Sequence, residues 1–194
     1  FGNRLNEAKC DRQGRLWAGT MRDFGAATTG SLYRVERQRA TRVLTDITIP
    51  NGQSWSPDNA TLYFADSREG SIRAYAFDAS TGELGPMRVL VEAVALPGRP
   101  DGMTVDADGF LWCTRTGGSG IARIDPDGNV ERFVRLPVSQ PSSVMFGGRD
   151  LDVLYVTTSR QKLSDEALAR EPLAGALLAL RVDAKGLIEA SFAG

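Results

Sequence analysis

The sequence predicts an all-β chain of β-propeller type. Three observations carry that reading: a phrase that recurs about every 46 residues, glycines that punctuate each repeat, and period-two apolar segments after each turn. The phrase is a polar turn followed by a hydrophobic pair, and it occurs at residues 11–17, 56–63, 106–112 and 147–155. Its aromatic anchors, Trp17, Tyr63, Trp112 and Tyr155, stand 46, 49 and 43 positions apart. A β-sandwich also has closely spaced strands, but it does not predict a longer period that carries the same turn and aromatic each time.

Taken in order, each repeat reads as strand, turn, strand. In the first, Asp11 and Gly14 form a turn, Leu16 and Trp17 enter a strand, and Gly30 opens the next strand through Val35. In the second, Ser56, Asp58 and Asn59 turn the chain before Leu62 and Tyr63, and Gly70 opens a strand through Phe77. The third runs from Asp106, Asp108 and Gly109 into Leu111 and Trp112, then from Gly120 to Ile124; the fourth from Gly147 and Gly148 into Leu154 and Tyr155, then from Gly175 to Val182. Residues 163–169 are the one helical patch, with Ser164 as cap and Pro172 as stop, and they read as a loop insertion in the last blade. Asp58, Asp106, Asp108, Asp125 and Asp127 are expected as turn formers at the rim. The four aromatic anchors are expected in the core between blades, Trp55 either in packing or as a pocket wall, and the mixed tract 34–42 at a solvated edge and turn.

Composition narrows the chemistry. Among 194 residues there are 21 glycines, against a usual share of ~7%, and no histidine. Ser-His-Asp and Cys-His relays are therefore excluded, and acid–base work falls to carboxylates, Lys, Tyr or a bound cation. With 23 basic and 24 acidic side chains the net charge is −1, and no basic cluster suited to nucleic acid exists. No apolar run approaches the length of a membrane span. Cys10 and Cys113 match no metal or redox spacing; they read as buried thiols in a reducing, cytoplasmic setting.

The position just before each turn phrase carries the functional signal, because loops on one face of a propeller converge on the central channel. Counting back from the anchors gives Asn6 (11 before Trp17), Asn51 (12 before Tyr63), Asp101 (11 before Trp112) and Ser143 (12 before Tyr155). All four carry a side-chain oxygen. Pro50-Asn51-Gly52 and Pro100-Asp101-Gly102 share a stiff entry and a glycine behind the polar side chain. Each dipeptide alone is an ordinary turn, but recurrence at one repeat position points to oxygen ligands for a hard divalent cation.

The stretches Arg4-Leu-Asn6-Glu-Ala-Lys9, Gly19-Thr20-Met21, Ile49-Pro50-Asn51-Gly52, Tyr63-Phe-Ala-Asp66-Ser67, Pro100-Asp101-Gly102-Met103 and Phe146-Gly147-Gly148 resemble, collinearly, the regucalcin and gluconolactonase family. That resemblance implies a six-bladed propeller with one divalent metal in its central channel, and enzymes that hydrolyse sugar lactones. Asn51 matches the family's amide metal ligand. Asp101 matches its carboxylate ligand, often assigned as the base that prepares water. Arg4 and Asn6 match the pair that contacts the sugar hydroxyls and the lactone. An acidic residue shortly after Gly-Thr-Met touches substrate in some members; Asp23 is near that place, and the alternative is that Phe24 occupies it and the role has no counterpart. The family's remaining ligand, a first-blade glutamate upstream of Arg-x-Asn, has no counterpart in this sequence. The resemblance thus implies one propeller domain over residues 1–194, N-terminally truncated, supplying about four C-terminal blades of six.

The expected function is a divalent-metal-dependent hydrolase of small sugar lactones, with calcium first among calcium, magnesium, manganese and zinc. A calcium-dependent phosphotriesterase or esterase on the same propeller and a non-catalytic calcium-binding module are the alternatives. No nucleic-acid or membrane partner is expected.

Overall fold

The computed structural model describes residues 2–23 and 27–194. Its strands form four sheets that follow one another along the chain, each an up-and-down meander. Blade 1 comprises β1 (Asn3–Cys10), β2 (Leu16–Arg22), β3 (Gly30–Glu36) and β4 (Arg39–Ile47). Blade 2 comprises β5 (Pro50–Trp55), β6 (Thr61–Asp66), β7 (Ile72–Asp78) and β8 (Glu83–Val91). Blade 3 comprises β9 (Arg99–Val105), β10 (Leu111–Thr116), β11 (Gly120–Ile124) and β12 (Val130–Arg135). Blade 4 has three strands, β13 (Pro141–Gly147), β14 (Val153–Thr158) and β15 (Leu177–Arg181), with the helix α1 (Asp165–Arg170) between the last two. The first strand of each blade lies against the first strand of the next, so β1, β5, β9 and β13 surround a common axis. This is the propeller arrangement, and the helix falls where the sequence places it, capped by Ser164.

Period two explains the core. A blade's second strand is covered on both faces, so successive side chains enter different interfaces. On β6, Leu62 and Phe64 join Trp17 and Leu32 of blade 1, while Tyr63 and Ala65 join Met103 and Leu111 of blade 3. On β10, Leu111 and Cys113 face blade 2, and Trp112 faces Val144 and Phe146 of blade 4. Trp17, Trp55 and Phe77 meet edge to face with ring centroids 5.8–6.0 Å apart, which settles Trp55 as packing between blades 1 and 2. Burying each such side chain contributes about 1.5–3 kcal/mol. Replacing the fully buried Leu62 by Ala would cost about 2–5 kcal/mol.

Two sequence expectations change. Tyr155 is 38% exposed rather than core, because it lies on the face of β14 opposite Leu154 and Val156, and no blade among the described residues packs there. Asp106 is a turn former, but it is fully buried rather than at the rim. Its Oδ1 accepts from the Asp108 and Phe110 amides, and its Oδ2 accepts from Trp112 Nε1 and Arg123 Nε, both at 2.8 Å. Asp11 does the same in blade 1 with Trp17 Nε1 and Arg15 Nε. These two carboxylates tie the turn phrase to the tryptophan it precedes.

After β15 the chain runs back past blade 3, where the Ala107 amide donates to the Lys185 carbonyl. It then reaches blade 1, where the Ala193 amide donates to the Gly14 carbonyl. On the way Glu189 pairs with Lys9 at 2.8 Å. No described helix is long and apolar enough to cross a membrane.

Candidate functional site

Each innermost strand loses register with its neighbour once, at or directly beside the residue that the sequence places in the channel. The interruption on β1 falls between Leu5 and Ala8, spanning Asn6 and Glu7. On β5 it falls between Asn51 and Ser54, on β9 between Pro100 and Met103, and on β13 between Pro141 and Ser143. A bulge turns a side chain out of the strict alternation of the pleat. Four equivalent bulges therefore aim side chains from four blades at one axis. Asn6, Asn51, Asp101 and Ser143 all line a single cleft of about 360 Å³, together with Glu7, Gly102, Thr116, Gln140, Ser142, Ser159 and Gln161. The four repeat positions thus converge on one cleft.

Hydrogen bonds join the cleft residues across blades. Arg4 Nη1 donates to Asn6 Oδ1 at 3.1 Å, and Asn6 Nδ2 donates to Asn51 Oδ1 at 2.8 Å and to the Pro50 carbonyl at 3.0 Å. Asn51 Nδ2 donates to Ser67 Oγ at 2.7 Å, and the Ser67 hydroxyl donates to the Pro100 carbonyl at 2.6 Å. Because Ser67 spends its proton on Pro100, it can only accept from Asn51, and this fixes the Asn51 amide with its oxygen toward the channel. Ser67 thereby bridges the Asn51 turn to the strand that carries Asp101.

The close fit of the turns explains their glycines. At Gly52, whose φ is +74°, a Cβ would lie 1.7 Å from Met103 Cε, and at Gly102 a Cβ would lie 2.3 Å from Ser143 Oγ. The Gly52 amide donates to Glu7 Oε2. Thr116 Oγ1 lies 2.9 Å from Asp101 Oδ2 and also against the Pro141 carbonyl, so its single proton serves one of them at a time.

Burial holds both cleft carboxyls well above the usual range. Asp101 is pushed up to about 6, against the lowering effect of Thr116 and the Gly102 amide. Glu7 is pushed up to about 7; the Gly52 amide opposes its burial, the negative charge of Asp101 adds to it, and Lys9 offsets part. Two enclosed carboxylates with one partial counter-charge, beside a fixed amide oxygen, are a donor set that suits a hard cation: oxygen only, no thiolate and no imidazole. Among the described residues the cleft does not bring together three acidic, cysteine or histidine side chains; the further oxygens they offer such a shell are amide and hydroxyl oxygens.

Glu7 is the residue that sequence reasoning missed. A strict strand puts Asn6 and Glu7 on opposite faces, and only the bulge lets both reach the cleft. The Arg4 guanidinium sits at the mouth, with Nε donating to Asp23 Oδ1 at 2.8 Å. Asp23 is thus joined to the site through Arg4; Phe24 lies outside the described residues. Cys113 is fully buried and Cys10 half-buried, and both are free thiols.

The chain as a whole is similar to proteins already known. The profile of the SMP-30/gluconolactonase/LRE-like region matches residues 2–160. A 6-deoxy-6-sulfogluconolactonase of Pseudomonas putida is 38% identical over 194 residues, 99% of this chain and 66% of that protein. A putative sugar lactone lactonase of Bacillus subtilis is 33% identical over 193 residues, 98% of this chain and 66% of that protein. Among solved structures, a calcium-binding regucalcin of Agrobacterium tumefaciens superposes with a TM-score of 0.94 at 34% identity, covering 98% of this chain and 65% of that one. The chain thus spans about 65% of the length of these proteins. By profile, by identity and by fold, this chain belongs to the SMP-30/gluconolactonase/LRE-like family.

Proposed function

We propose that the protein is a divalent-cation-dependent hydrolase of sugar lactones, and that the cleft on the four bulges is its active site. The observation that carries this reading is the pair Asn51 and Asp101, on equivalent bulges of neighbouring blades and joined through Ser67. The relatives named as lactonases support the substrate class, and the neighbour named as calcium-binding supports the cation.

Asn51 Oδ1 and the Asp101 carboxylate would hold the cation, calcium first among calcium, magnesium, manganese and zinc. When bound, such a cation supplies a Lewis acid for the lactone carbonyl. Asp101 accepts the proton of the attacking water as the oxygen–carbon bond forms at the acyl carbon. The ring carbon–oxygen bond then breaks, and the proton passes to the departing ring oxygen, leaving an open hydroxy acid. Arg4 and Asn6 orient the ring hydroxyls, and the ion pair with Asp23 limits how far the Arg4 guanidinium swings. Glu7, fixed by the Gly52 amide, holds the Asn51 turn against blade 1.

A base-titration assay of the full-length protein against sugar lactones and phosphotriesters, with and without EDTA, tests the reading. Lactone opening that EDTA abolishes is the expected outcome. Phosphotriester cleavage without lactone opening would replace it with the esterase alternative, and silence on both with a binding module.

A further inference from the structure

We infer that blade 4 supplies a subsite for the exocyclic hydroxyl-bearing arm of the substrate, formed by Gln140, Ser142, Ser159 and Gln161. This rests on the lactonase reading and adds to it a determinant of which lactone is preferred.

The cleft has two unlike walls. Asn6, Glu7, Asn51 and Asp101 form an amide and carboxylate wall from blades 1 to 3. The opposite wall, from the end of the β12–β13 connection, β13 and the β14–β15 connection, is neutral throughout: two glutamines and three serines, with no apolar side chain. Amides and hydroxyls both donate and accept, as a sugar hydroxyl does. An alkyl or aryl arm lodged there would desolvate these groups without replacing their hydrogen bonds.

The neutral wall is also held in place, although it rides on a long connection. The Ser159 amide donates to the Gln140 carbonyl at 2.8 Å, and Gln140 Nε2 donates to the Gln161 carbonyl at 3.1 Å. The Gln161 amide nitrogen of the backbone donates to Ser159 Oγ at 3.0 Å, and Ser142 Oγ meets Thr157 Oγ1 at 2.9 Å. Farther along, Glu171 Oε2 accepts from both the backbone and the hydroxyl of Ser139, and Thr158 Oγ1 donates to the Ala176 carbonyl at 2.7 Å. Leu163, Leu168 and Ala174 pack into the blade 3–blade 4 core with Trp112 and Val144. These bonds fix the backbone of the wall and leave the Gln161 side-chain amide without a hydrogen-bond partner among the described residues. The wall's backbone is thus set before a ligand arrives, and the Gln161 amide keeps its full donor and acceptor capacity for one.

The test compares D-glucono-δ-lactone with D-xylono-δ-lactone, which keeps the ring hydroxyls but lacks the hydroxymethyl arm. Steady-state kinetics are measured on the full-length wild type, Gln161→Leu and Ser142→Ala; both changes lie at the surface of the cleft and outside the core. Wild type is expected to prefer the glucono compound by about tenfold or more in kcat/KM, the worth of one or two hydrogen bonds. Gln161→Leu is expected to remove most of that preference through KM, with turnover of the xylono compound unchanged. Equal loss on both lactones, no loss on either, or a wild type that treats the two alike would overturn the subsite while leaving the lactonase reading in place. A wild type that opens neither lactone would overturn the lactonase reading, and the subsite with it.

Discussion

Two aspartates only five residues apart, Asp101 near the start of β9 and Asp106 just past its end, have opposite fates. Asp106, at the outer end, accepts hydrogen bonds from two backbone amides, a tryptophan and an arginine, and has no exposed surface. Asp101, at the channel end, has the Thr116 hydroxyl and the adjacent Gly102 amide, and its burial raises its pKa to about 6. A carboxylate whose lone pairs are filled by its own fold has nothing left to offer a ligand. One that is enclosed and underfilled is held at a cost in folding free energy, and a cation or a proton can relieve it.

Exchanging the two aspartates for asparagine should give crossed results, and this is the largest effect expected. Asp101→Asn should lower lactone opening by about 10²–10⁴-fold while leaving the unfolding midpoint unchanged or higher, since a buried charge is removed. Asp106→Asn should destabilise by about 1–3 kcal/mol, because buried Arg123 loses the nearest of its carboxylates, at 2.8 Å, and keeps only the looser pairs with Asp108 and Glu131 at 3.4 and 3.5 Å, while the folded fraction keeps its turnover. Denaturation curves and initial rates on both variants would decide it, and parallel losses in the two would break the distinction.

The bridge between the channel ends of β5 and β9 should matter less. Ser67→Ala removes the acceptor of Asn51 Nδ2 and the donor to Pro100. A loss of about 1–3 kcal/mol in stability is expected, with weaker cation affinity because the Asn51 amide becomes free to turn. Unchanged affinity in a calcium titration would remove Ser67 from the account.

The raised carboxyls predict a pH dependence of known sign. Their folded pKa values, about 6 for Asp101 and about 7 for Glu7, exceed the ordinary 3.8 and 4.5. Folded protein therefore binds more protons than unfolded protein between those values. The contribution is fully present below about pH 4 and is lost as pH rises through 6 and 7. Cation-free protein should lose stability from pH 4 to 8, and added calcium should stabilise it more at pH 8 than at pH 5. Glu7→Gln should flatten the slope; a wild type already flat over this range would contradict the burial of these carboxyls. The smallest effect concerns α1, where Ser164→Ala should cost about 0.5–2 kcal/mol of thermal stability through loss of the cap on Ala167, without changing cation affinity.

The sequence makes the blades and one side of the site legible for the same reason: both recur. Asn6, Asn51, Asp101 and Ser143 sit at one offset from four anchors, and the structure puts all four in one cleft. Glu7 was hidden because its arrival depends on a bulge that period-two reasoning does not foresee. Asp106 was misplaced because an Asp-x-Asp-Gly turn looks alike whether or not it is buried. Its donors Trp112 and Arg123 come from six and 17 residues farther along the chain. Gln140 and Gln161 carry no repeat signal: Gln140 lies in the connection before β13, and Gln161 in the β14–β15 connection, the one insertion that breaks the pattern.

The central claim is that the underfilled end of β9 is where a cation binds. Isothermal titration of calcium into metal-stripped full-length protein tests it directly. The account predicts one site per chain in wild type, loss of that site in Asp101→Asn, and retention in Ser164→Ala. Calcium binding of undiminished affinity in Asp101→Asn would contradict it.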